Sequence, residues 1–194
     1  MNIFDGLKSS FQVESGDDAP DALSLIHADH EEVATLFKTA LDSNASSAAR
    51  KAAIANVCFA LTVHAKMEET IFYPALRKAG KKDEKDSVLE AIEEHSCVKD
   101  LIAKIKRSTG RDETLEAKVT VLKELVEHHV KEEESTIFAE ARRVLGKKLQ
   151  PLGAEMQRFK ERAGAAPKKA TRSSRKTPAR TTSRSTSPSR SVAR

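Results

Sequence analysis

The sequence contains no tryptophan, one tyrosine, seven glycines and six prolines in 194 residues. So few turn residues, against abundant Ala, Leu, Lys and Glu, exclude a β-sandwich or barrel and favour helices. No stretch approaches the roughly 18 apolar residues that a membrane-crossing helix needs. Asp5, Glu14, Asp17 and Asp18 in the first twenty residues do not suit a secretory signal. Two cysteines, Cys58 and Cys97, make neither a disulfide framework nor a CxxC pair, so a reducing cytoplasm with ordinary core thiols is expected.

Acid is missing from one end of the chain. Residues 165–194 hold nine Lys or Arg and no Asp or Glu, from Lys168 and Lys169 to Arg194. Setting those nine aside leaves 25 basic against 29 acidic residues in 1–164, a net of −4. The excess positive charge therefore belongs to the tail. The tail is rich in Ser, Thr and Pro, and its one bulky apolar side chain is Val192, so a disordered segment over 164–194 is expected. A lead-in over 1–18, with Ile3, Phe4, Leu7 and Phe11 available to dock, precedes a single domain over 19–163.

Within that domain the periodicity predicts four long helices. The first starts near Asp17, Asp18 and Pro20 and runs to about Leu41, with Leu23, Ile26, His30, Val33 and Phe37 on one face. The second runs from about Ala48 to Lys78 before Gly80, with a kink or early break at Pro74. The third spans about Asp86 to Ser108 before Gly110, and the fourth runs from a cap at Asp112 to about Leu145. A shorter fifth helix fits 152–163. Short turns between long amphipathic helices make an all-α, up-down four-helix bundle the economical arrangement.

A shift of 65 residues superposes two patches of the chain. Asp29-His30 falls on Glu94-His95, and His64-Ala65-Lys66-Met67-Glu68-Glu69 falls on His129-Val130-Lys131-Glu132-Glu133-Glu134. The bundle is thus expected to consist of two related helical hairpins. His27 falls on Ile92 and His128 on Val63, so these two histidines do not recur. His30, His64, Glu68, His95, His129 and Glu133 do recur, and they interrupt apolar stripes. A single histidine on an apolar face is usually a hydrogen-bonded core residue. One on each of four helices, with a glutamate one turn after two of them, points instead to a metal site. Imidazole and carboxylate without thiolate favour iron or manganese, with zinc a lesser fit. The register pairs His30 with His64 at one ion and His95 with His129 at the other.

These stretches, together with Thr70-Ile71-Phe72-Tyr73-Pro74, resemble the hemerythrin-like HHE cation-binding family over about residues 20–145. The resemblance implies two non-haem iron ions bridged by two carboxylates and an oxo or hydroxo group. It also implies binding of O2, peroxide or another small ligand as sensor, carrier or store. One position departs from the carrier members, which have a second histidine one turn away on the third helix. Here the positions flanking His95 are Ala91 and Lys99. Four histidines would leave an open position on each iron, for which water, Glu69, Glu134 or Tyr73 are candidates. Open positions also suit a peroxidase or catalase-like activity. The basic tail, lacking aromatics, is expected to contact nucleic acid without sequence preference, if at all.

Overall fold

The computed structural model describes residues 19–108 and 112–165. The expected lead-in over 1–18, the caps at Asp17 and Asp18, the stop at Gly110 and the tail from 166 onward lie outside the described residues. All regular structure among the described residues is helical. Helix α1 spans Ala22–Leu41 and α2 spans Ser47–Met67. A π-helical turn, Glu68–Phe72, continues α2 into α3, Tyr73–Ala79. Helix α4 covers Lys82–Arg107 and α5 covers Leu115–Glu132. A second π turn, Glu133–Ile137, leads into α6, Phe138–Leu145. After a short 3-10 turn, α7 runs from Leu149 to Ala165.

Local chemistry sets the helix starts. Asp21 caps α1, its carboxylate accepting from the Ser24 amide at 2.8 Å. This is one residue after Pro20, later than the sequence suggests. Ser46 caps α2 in the same way. Helix α4 starts four residues before the expected Asp86, because Glu84 folds back to accept from the Lys81 amide at 2.7 Å. Asp112 does not cap α5 directly. It holds the preceding turn by accepting from the Thr114 amide at 2.9 Å, and Thr114 takes the cap position.

No break occurs at Pro74, which sits in the first turn of α3, where its missing N–H costs little. The irregularity falls just before it, as the π turn. The second π turn lies 65 residues further on, and there Ala139 occupies the place of Pro74. Proline is therefore not the common cause. What the two turns share is a glutamate of the recurring set at their first position.

Helix α1 packs mainly on α2, and α4 mainly on α5, giving the two hairpins. Helix α7 is longer than expected and lies across α1 and α2. A Cβ on Gly153 would sit 2.3 Å from the Pro20 carbonyl oxygen and 2.6 Å from the Asp21 carbonyl carbon, so α7 rests directly on the backbone that begins α1. Backbone cannot move aside as a side-chain tip can. Gly153→Ala should accordingly lower stability by about 1–3 kcal/mol, measured by denaturant unfolding, despite the better helix propensity of alanine. A gain of stability would show that α7 is free to shift.

Candidate metal centre

Along each long helix the buried face is apolar, then polar, then apolar again. One apolar cluster gathers Leu23, Ile26, Phe72, Leu76, Val88 and Met156 at one end of the bundle. A second gathers Phe37, Val57, Ile102 and Leu122 at the other. Between them lie His30 from α1, His64 and Glu68 from α2 and its π turn, His95 from α4, and His129 and Glu133 from α5 and its π turn. All six are buried, and Glu68 and Glu133 are 0 % exposed. His27 and His128 instead face outward, with side chains 55 % and 62 % exposed.

The six groups converge through their inner atoms. His64 Nε2 and His95 Nε2 lie 3.2 and 3.4 Å from Glu68 Oε2. His30 Nε2 and His129 Nε2 lie 3.4 and 3.7 Å from Glu133 Oε2. Each carboxylate thus faces one imidazole from each hairpin. The rings of His30 and His64 are 5.0 Å apart and those of His95 and His129 are 4.6 Å apart. His95 Nε2 approaches His129 Nε2 to 3.1 Å. Two nitrogens held about 2.1 Å from one ion at a right angle would stand roughly 3 Å apart.

Each imidazole is held from outside by a carboxylate on Nδ1. Glu134 holds His30 at 2.7 Å, Asp29 holds His64 at 3.3 Å, Glu69 holds His95 at 3.1 Å, and Glu94 holds His129 at 2.7 Å. An ionised carboxylate only accepts, so Nδ1 carries a proton and Nε2 is the nitrogen left facing inward, able to offer its lone pair once no second proton occupies it. These four carboxylates obey the same 65-residue register, Asp29 with Glu94 and Glu69 with Glu134. That register is the signal by which the sequence could have revealed their role. Glu69 and Glu134 therefore lie behind the imidazoles, occupied as orienting groups, and not at an open position inside.

Tyr73 does point inward. Its hydroxyl donates to Glu133 Oε1 at 2.9 Å and lies 3.4 Å from Glu68 Oε2. Its counterpart in the other hairpin is Phe138, which stacks on His30 at 6.5 Å much as Tyr73 lies 5.7 Å from His95. Among the groups that face inward, the phenol distinguishes the two halves of the site.

Electrostatics follow from this crowding. Burial and then the neighbouring Glu133 charge raise the Glu68 carboxyl above its usual range. Glu133 is also penalised by burial, yet the imidazoles of His30 and His129 bring it down to about 2. Burial opposes charge on His64, but the Glu68 and Asp29 carboxylates overcome it and hold the imidazole well above 6.5. Burial, with His129 and His64 close by, drives His95 down to about 2. Burial and the two carboxylates push the Tyr73 phenol well above 10, so it keeps its proton.

Three wholly buried atoms of the site, His30 Nε2, Glu68 Oε1 and Glu133 Oε2, have no hydrogen-bond partner. Orphaned buried donors and acceptors of this kind are costly, and cations would satisfy them. Two overlapping four-residue sets have ligand atoms close enough to share an ion: His30, His64, Glu68 and Glu133, and His64, Glu68, His95 and His129. The residues fit a pair of cations. A cavity of about 20 Å3, walled by Val33, Leu61, Val98 and Val126, adjoins the four imidazoles. It is large enough for a water-sized ligand. A larger groove of about 360 Å3 between α4 and α5 reaches His129 and Glu133 from outside.

Cation uptake should depend on pH over a higher range than the imidazole's ordinary value suggests. A proton on His64 competes with a cation until the pH passes its raised pKa, so affinity should keep climbing above 6.5. The proton also stabilises the metal-free fold, a contribution that is lost as pH rises through the same value. Both effects widen the melting-temperature gap between loaded and metal-free protein as the pH rises above 6.5. Calorimetric scans across that range measure the gap; a constant gap, or none, contradicts the assignment.

The profile of the hemerythrin HHE cation binding domain matches residues 21–141. A crystal structure of a hemerythrin HHE cation binding domain-containing protein from Mycobacterium kansasii, an Rv2633c homologue, superposes with a TM-score of 0.64. That likeness covers 76% of this chain and 90% of the other at 23% identity, and it speaks for the fold. A DNA nickase from a Nostoc species is 32% identical over 133 residues, which are 67% of this chain but 36% of the nickase. With most of the bundle inside the matched segment, and four histidines and two glutamates converging at its centre, the chain belongs to the hemerythrin HHE cation-binding domain family.

Proposed function

We propose that this protein is a non-haem di-iron protein that binds O2 or a related small ligand, as a sensor, carrier or store. The observation that carries the proposal is the inward set of free Nε2 atoms, each fixed by a carboxylate on its Nδ1, around two fully buried glutamates. In this reading His30, His64, Glu68, His95, His129 and Glu133 would hold two ions within an up-down pair of related hairpins. Bound iron would supply redox chemistry there. The chain excludes bulk water, orients the imidazoles, and offers the apolar 20 Å3 cavity as room for a small ligand. Manganese or zinc would use the same donors less well matched to that chemistry. Among the described residues no helix is long and apolar enough to cross a membrane. The buried Cys58 and exposed Cys97 are both free thiols, which suits a cytoplasmic protein.

Tyr73 favours a second reading, turnover of hydrogen peroxide. Its phenol keeps a proton between Glu68 and Glu133, where a reacting oxygen could receive it. Iron-loaded protein studied aerobically separates the two. Reversible optical change with O2 and slow peroxide loss support the first. Rapid peroxide loss that falls at least about tenfold in Tyr73→Phe supports the second. Iron content far from two per chain, with no oxygen-dependent spectrum, sinks both.

The ligand register has its own check. His129→Ala should lose bound iron, while His128→Ala should keep it at equilibrium. The opposite result would place the helix one residue out of register.

Nine Lys or Arg in 165–194, together with the likeness to a DNA nickase, support contact with nucleic acid through the tail. Truncation after Gly164 should abolish retention on DNA, and retention by the full chain should fall steeply with salt and not vary with sequence. Equal binding by the truncated chain would contradict this contact.

A further inference from the structure

The two faces of the site are related by the internal repeat but are covered differently. On the α1–α2 side, α7 lies over the site, and Lys160 pairs with Asp29 behind His64. On the α4–α5 side no helix among the described residues covers the corresponding surface, and the 360 Å3 groove opens there. At the positions that match His128 and Glu132, the covered side has Val63 and the wholly buried Met67. The open side thus has ligand-type residues where the covered side has apolar ones.

Those residues form a cluster of their own. His128 Nε2 lies 3.4 Å from Glu94 Oε1 and 3.4 Å from Glu132 Oε1. The three offer ligand atoms close enough to share one ion. Glu94 joins this cluster to the buried site, because its other oxygen, Oε2, accepts from His129 Nδ1 at 2.7 Å. The same groove has Glu133 in its lining, and Glu133 Oε2 is buried without a hydrogen-bond partner. An exposed imidazole with two carboxylates therefore shares one groove lining with His129 and Glu133 of the buried centre.

We propose that Glu94, His128 and Glu132 form an external capture site for a divalent cation, from which the buried centre is loaded through the α4–α5 groove. The inference rests on the metal reading given above. Ferrous iron in water is a hard-to-borderline cation that an imidazole and two carboxylates bind weakly and release quickly. Weak binding suits a staging position. The cation exchanges waters for His128 and Glu132, then passes Glu94 to reach His129 and Glu133, and leaves the outer residues free for the next ion. Glu90 adds negative charge along the path, and Lys131 is the basic residue in the same lining. Loading through this one face also explains why α7 can seal the other without isolating the site.

The test follows Co2+ uptake by metal-free full-length protein, using the visible absorption of the bound ion in a stopped-flow instrument. In the wild-type chain the observed rate should saturate with Co2+ concentration, as capture precedes transfer. In the double variant His128→Ala/Glu132→Gln uptake should be about tenfold slower and linear in concentration, with the final Co2+ content unchanged. Glu127→Gln, which removes one charge from the same helix outside the groove, should behave as wild type and so separates capture from general attraction. Saturating, undiminished uptake in the double variant overturns the proposal. So does an equal slowing in Glu127→Gln. Failure of the wild-type chain to bind cobalt at the centre would instead overturn the metal reading itself. Unchanged circular dichroism in the double variant guards against misfolding, and both replaced side chains are about half or more exposed.

Discussion

Six titratable side chains buried in one layer are the constraint on which the rest of this structure depends. Imidazoles and carboxylates do not enter an apolar interior without partners. Here every imidazole has its outer nitrogen bound to a carboxylate, which leaves its inner nitrogen as a lone-pair donor. The arrangement uses ten polar groups to present six. It also fixes where each helix must lie, because a donor on one helix meets its orienting carboxylate on another: His30 with Glu134, His95 with Glu69. The bundle is therefore tied together at its middle by polar contacts and at its ends by two apolar clusters.

The inner residues were legible in the sequence, because duplication leaves a record that single helices do not. His64 followed by Glu68 means little alone. The same pair at His129 and Glu133, in register with His30 and His95, could be read against the non-recurring His27 and His128. The outer carboxylates left the same record but were harder to read. Glu69 and Glu134 are adjacent to Glu68 and Glu133, and an acidic run usually marks a solvated face. The π turns left no local trace, because Glu-Glu-Thr-Ile-Phe and Glu-Glu-Ser-Thr-Ile are ordinary helical sequences. Pro74 drew attention to the right neighbourhood for a reason that its counterpart, Ala139, shows to be incidental.

The part least visible in advance was the role of α7. It begins three residues before the span that the periodicity suggests, and nothing in the repeat has a counterpart to Lys160, which reaches Asp29 across 131 positions of chain. Contacts of that range have no periodic signature. Helix α7 breaks the twofold character of the duplicated core by covering one hairpin, and Tyr73 against Phe138 breaks it again at the centre. Two related hairpins thus make a site with distinguishable halves, in which one ion would sit beside a phenol and the other beside a phenyl ring.

The π turns carry a consequence for how such a site can arise and be lost. Eight residues separate Glu68 from buried Leu76, and eight separate Glu133 from buried Ala141. In an unbroken α-helix that spacing overshoots two turns by about 80°, which would carry the second residue toward the edge of the buried stripe. A wider turn takes up about one residue's worth of rotation and brings both onto the same side. Each π turn thus accommodates one residue more than a regular helix would, beside the carboxylate that the site needs. Because the wider turn already takes up that rotation, deleting a single residue from 68–72 or 133–137 would let the helix close to a regular α-helix with Leu76 and Ala141 still facing the core. A second deletion would have no slack to consume and would rotate everything downstream by about 100°. One residue is therefore the change in length that each of these segments can absorb while the bundle keeps its register.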